Sequence, residues 1–121
     1  MATYFGTSLK FVQKVKQYDN NKNIEQIDYF VPSNHYLILS YLGAASHYYS
    51  VIQNYSVILY VDDVLAFKYY EPNTSYIEYV HHFSGGLYCP GPTTVTLRIF
   101  GSDYKYMSRT KYFVGALFTN G

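Results

Sequence analysis

Short runs of alternating apolar and polar residues, closed by turn-forming residues at intervals of roughly 8–12 positions, leave this chain few folds to choose from. In residues 9–18, Leu9, Phe11 and Val15 alternate with Lys10, Lys14 and Lys16. A strand puts each set on its own face, whereas a helix would scatter the lysines. Similar runs cover residues 24–31, 36–42, 48–53, 56–61, 64–70, 76–83, 94–100 and 109–119. Between them lie residues 19–23, Pro32-Ser33-Asn34, residues 43–46, Asp62-Asp63, residues 71–74, Ser84-Gly85-Gly86, Pro90-Gly91-Pro92 and Gly101-Ser102-Asp103, all turn-type by composition. The pattern predicts an all-β chain: a single-domain β-sandwich or jelly roll of eight to nine short antiparallel strands. The predicted core comprises Leu37, Leu39, Val57, Leu59, Val95, Leu97, Ile99, Val114 and Phe118.

Composition supports that class. The 121 residues include 17 tyrosines and 8 phenylalanines, and no Trp. Alanine and glutamate, both good helix formers, are scarce. Charged residues make up 14%, against roughly 25% in an average globular domain. High hydrophobicity with little charge excludes intrinsic disorder, and the shortage of helix formers argues against a coiled coil. A net charge of +1 gives no electrostatic footprint for nucleic acid. No apolar run is long enough for a membrane-spanning helix. The N-terminus has no basic stretch leading into an apolar run, so no signal peptide is expected. The single cysteine, Cys89, has no intrachain partner.

Sites for chemistry do not emerge from these runs. His81 and His82 are strand neighbours and point to opposite faces, so one metal ion cannot take both. Glu78 and His82 share a face, but four strand residues separate their Cα atoms by about 13 Å. His35 and His47 lack partners at metal-ligand spacing. Asp62-Asp63 reads as a hairpin turn, with its type left open. Cys89 precedes Pro90 and has no helix N-terminus to lower its pKa, so it reads as a buried apolar residue. The glycines near residue 85 lack the Gly-Lys-Ser/Thr element of a phosphate loop. No catalytic residue, metal site or cofactor is expected, and the chain reads as a non-enzyme.

Tyrosine is the residue type that suggests a function. Tyr48, Tyr49, Tyr55, Tyr69, Tyr70, Tyr76, Tyr79, Tyr104 and Tyr106 lie at predicted strand ends and loops. Tyrosine offers a large contact area at low entropic cost and tolerates partial burial. Half are expected in the core and half at an interface. The candidate interface set is Tyr48, Tyr49, Tyr55, Tyr104 and Tyr106. Tyr4 and Phe5 join it from an N-terminal arm over residues 1–8, which precedes a sandwich domain over residues 9–121. The arm is expected to dock, through Tyr4 and Phe5, on a neighbouring chain or on the larger assembly that the chain joins.

Four segments carry a resemblance. Tyr29-Phe30-Val31-Pro32-Ser33-Asn34-His35-Tyr36-Leu37-Ile38-Leu39 is an extended segment entering an apolar strand. Ile58-Leu59-Tyr60-Val61-Asp62-Asp63-Val64-Leu65 is a hairpin, and Tyr88-Cys89-Pro90-Gly91-Pro92-Thr93-Thr94-Val95-Thr96 a rigid corner. The chain ends in Tyr112-Phe113-Val114-Gly115-Ala116-Leu117-Phe118-Thr119-Asn120. In this order they resemble the small virion β-sandwich proteins of tailed bacteriophages, with their "VPxGxY", "VYVDGV", "LGPGDTVT" and "VxGxxFxN" elements. Asn34, Asp63 and Pro92 stand where that class has glycine. The resemblance implies no catalytic residues. It implies a capsid cement or decoration protein on the outer surface of the virion, assembled in the host cytoplasm. Its partners would be the major capsid protein and copies of itself, as a homotrimer. The alternative is a receptor- or glycan-binding module at a tail-fibre or spike tip, with a host surface glycan as ligand.

Overall fold

The computed structural model describes residues 7–17, 24–101 and 108–120, with side chains over 26–45, 54–72, 78–101 and 110–120. The chain is all-β, and its antiparallel strands form two layers of a β-sandwich. They are β1 (Thr7–Gln17), β2 (Ile24–Val31), β3 (His35–Val61), β4 (Val64–Pro90), β5 (Thr93–Phe100) and β6 (Ser108–Thr119). β3 and β4 are 27 residues each and run through both layers. The first layer is ordered β1–β6–β3–β4 and uses residues 35–47 of β3 and 76–90 of β4. The second is ordered β2–β5–β3–β4 and uses residues 52–61 and 64–74. A skipped register between His47 and Ile52 marks the crossing.

Nine expected strands thus become six, because three supposed breaks, at residues 43–46, 54–55 and 71–74, lie inside β3 and β4. Residues 43–46 were expected as a loop, yet Gly43, Ala44, Ala45 and Ser46 pair with Val80, Tyr79, Glu78 and Ile77. Gly43 is needed there: a Cβ would collide with the Tyr112 ring lying over it. Pro72 does not end β4, because among the described residues β4 pairs only with β3 and a proline is tolerated on an edge. Gly85 and Gly86, with φ of 77° and 84°, form a bulge rather than a terminus. Leu39 pairs with Leu87 while Tyr41 pairs with His82, so extra β4 residues are accommodated there.

The Asp62-Asp63 hairpin is present and its type is now fixed. Both residues have positive φ, 52° and 64°, as a type I′ turn requires. The turn is also tied to β5, since the Asp62 amide donates to the Thr94 carbonyl at 2.9 Å. At the other end, Thr7 pairs with Thr119. Residues 7 and 8 therefore belong to the sheet rather than to the expected arm.

The core lies between the layers. Leu37, Leu39, Val57, Leu59, Val95, Leu97 and Ile99 are fully buried in one cluster, as their alternation predicts. They are joined by Val31, Leu42, Tyr55, Cys89, Phe113 and Leu117. β6 departs from expectation. Its inner positions go to Phe113 and Leu117, while Phe118 is half-buried on the outer face, stacked on Tyr36 at 5.1 Å. Val114 is buried as expected, yet it pairs with Tyr41 and lies outside the core cluster.

Candidate interaction surface

The outer face of the first layer is aromatic and apolar. The register aligns Tyr36, Ile38, Tyr41 and Gly43 of β3 with Phe118, Ala116, Val114 and Tyr112 of β6. On the other side the same residues align with Pro90, Tyr88, His82 and Val80 of β4. Tyr36 packs on Tyr88 at 5.4 Å, Tyr41 on His82 at 5.3 Å, and Tyr112 meets Tyr41 edge-on at 6.1 Å. These contacts bury Tyr36 and leave Tyr88 57% and Val80 43% exposed. Among the described side chains of this face, Glu78 carries the one full charge.

The outer face of the second layer is built differently. Arg98 Nε donates to Gln26 Oε1 at 3.2 Å, Gln26 Nε2 donates to Asp28 Oδ2 at 3.3 Å, and Thr96 donates to Asp28 Oδ1 at 2.6 Å. The Arg98 guanidinium also lies over the Tyr60 ring at 5.2 Å. These groups satisfy one another across β2, β5 and β3, and the same face also exposes Phe30 and Tyr70.

The two halves of β4 face each other at the side of the sandwich. Tyr69 stacks on Tyr79 at 4.0 Å and Phe67 on His81 at 4.1 Å, with Phe83 edge-on to both Phe67 and His81. The Tyr69 hydroxyl donates to Glu71 Oε2 at 2.8 Å. That bond to a carboxylate, with burial and the Glu71 charge adding to it, pushes the Tyr69 pKa up. Burial alone pushes Tyr79 up. The histidine pair is divided as strand geometry demands: His81 enters this stack, and His82 is exposed on the outer face.

Of the expected interface residues, Tyr55 is the one whose side chain is described, and its assignment changes. It is fully buried in the core cluster, where its register position next to Val57 and opposite Glu71 places it on the inner face. Tyr48 and Tyr49 lie in β3 at the crossing, with side chains outside the described residues. Tyr4, Phe5, Tyr104 and Tyr106 also lie outside them. Tyr36, Tyr41, Tyr88 and Tyr112 were passed over by sequence reasoning, which looked for contact tyrosines in loops. Residues 112–118 are apolar throughout, so alternation does not separate their inner from their outer positions.

Cys89 is buried, and burial raises its pKa to about 11, so its thiol stays protonated at neutral pH. Among the described residues no group of three or more His, Cys, Asp or Glu side chains could hold a metal ion.

No family model matches the chain, and no curated protein matches it. Among solved structures it is similar to dimeric latent PorU from Porphyromonas gingivalis, with a TM-score of 0.51 and 7% sequence identity. The match covers 97% of this chain and 14% of that one, so the chain spans about one seventh of its structural neighbour. At this identity the likeness concerns the fold alone.

Proposed function

We propose that this chain is a non-enzymatic virion protein of the capsid cement or decoration type, binding the outer shell through the outer face of its first layer. The observation that carries this reading is the exposed Tyr88 and Val80 on a face lined by Tyr36, Tyr41, Tyr112 and Phe118. Contiguous apolar surface rimmed by polar groups marks interaction sites, and tyrosine is enriched in such contacts. The order of the four sequence segments supports a tailed-phage particle as the setting. Many copies on a shell would give high avidity from modest individual contacts.

A glycan-binding fibre tip is the second reading. It is favoured by the Tyr60–Arg98 pair beside Gln26, Asp28 and Thr96 on the opposite face, since aromatic rings with adjacent polar groups suit sugars. Purified protein mixed with undecorated capsids and, separately, with host surface glycans distinguishes the two. The decoration reading expects capsid binding, lost in Tyr88→Ser at an unchanged melting temperature. Glycan binding without capsid binding, abolished by Arg98→Ala, would replace it with the second.

A further inference from the structure

The free edge of β4 points to its own partner. Among the described residues β4 pairs only with β3, so both layers end on it. Proteins normally blunt such edges with lysine, proline or a bulge. β1, the other edge of the first layer, carries Lys10, Lys14 and Lys16. In the second layer β4 carries Lys68 and Pro72. In the first layer its protection starts at the Gly85–Gly86 bulge. That leaves Glu78-Tyr79-Val80-His81-His82-Phe83 without lysine or proline, and residues 78–82 hold an unbroken register with β3. Tyr79, His81 and Phe83 are engaged in the stack within the sandwich, while Glu78, Val80 and His82 are exposed on the outer face.

We infer that two copies of this chain pair edge to edge through residues 78–83, antiparallel, about a twofold axis at Val80. In that register Val80 meets its own copy, and Glu78 lies opposite the partner's His82, with the same pair repeated across the axis. Opposite residues of an antiparallel pair sit side by side on one face, where complementary groups stabilise and like groups destabilise. Centring the axis on Glu78 or on His82 would instead set like groups against each other, and centring it on Tyr79 or His81 would set Glu78 opposite Val80 or Ser84, so only the Val80 register pairs Glu78 with His82. The two first layers then join into one sheet with a continuous aromatic outer face. This pairing goes beyond the particle reading and is measured without any capsid, so either can fail alone. It also replaces the threefold association implied by the resemblance with a twofold one.

The test is sedimentation equilibrium of the purified full chain at neutral pH, with circular dichroism to confirm folding. The wild type is expected to be a dimer. Val80→Lys, at an exposed position, is expected to give a folded monomer. His82→Glu sets two carboxylates opposite each other twice per dimer and should weaken association about tenfold. The double variant Glu78→His/His82→Glu restores the complementary pairs and should recover the wild-type dissociation constant. A monomeric or trimeric wild type would overturn the inference. So would a folded double variant that remains as weak as His82→Glu.

Discussion

Thr93 illustrates what burial demands of a single residue. Its hydroxyl oxygen is buried and makes no hydrogen bond, so it bears a desolvation cost with nothing in return. Thr93→Val keeps the shape and removes the polar atom. It is expected to raise stability by about 1 kcal/mol in urea denaturation; a loss of stability would mean that the hydroxyl has a partner in solution. Cys89 makes a complementary case. Its thiol is held neutral by burial, with a pKa of about 11 against an ordinary 9.0. A raised folded-state pKa means that its stabilisation is complete below pH 9 and is lost as pH climbs towards about 11. Cys89→Ala should therefore show a shallower fall in stability over that window than the wild type, measured by denaturant midpoints. Alkylation of native protein at pH 8 should track global unfolding, and rapid alkylation would contradict the burial.

Element-scale features separate what alternation reveals from what it hides. The register of β5 is legible because Val95, Leu97 and Ile99 alternate with Thr96 and Arg98, and the first three are fully buried. The merging of strands in β3 and β4 is not legible, because small residues and proline carry the same local signal in a loop and in a sheet. Gly43 is extended because Tyr112 needs the space above it, and Tyr112 is distant in sequence. Tyr55 misled for a related reason: it lies between the expected strands 48–53 and 56–61 and so reads as a loop residue, whereas its burial depends on which layer β3 has reached. The hairpin offers a direct check. Asp63 sits at φ 64°, a region that costs a non-glycine residue energy. Asp63→Gly should stabilise the protein by roughly 0.5–1 kcal/mol in thermal or chemical unfolding. Destabilisation would show that the aspartate side chain supports the turn.

At the scale of the molecule, the two outer faces divide the chemistry. The second layer sets the bonded polar side chains of Gln26, Asp28, Thr96 and Arg98 beside exposed Phe30 and Tyr70, whereas the first layer offers Tyr88 and Val80 outwards from a bed of rings. The sequence carried the fold class and most of the core, because periodicity determines which residues face inwards. It did not carry the contact face, because the same tyrosines could line a core, a layer exterior or a loop until the layers were assigned. The particle setting rests on the order of four short segments together with this face. Immunoelectron microscopy of tailed-phage virions assembled with the chain present, labelled with antibody against it, tests that proposed reading most directly. The account predicts label distributed over the head surface. Label confined to the tail or fibre tips, or virions without label, would contradict it.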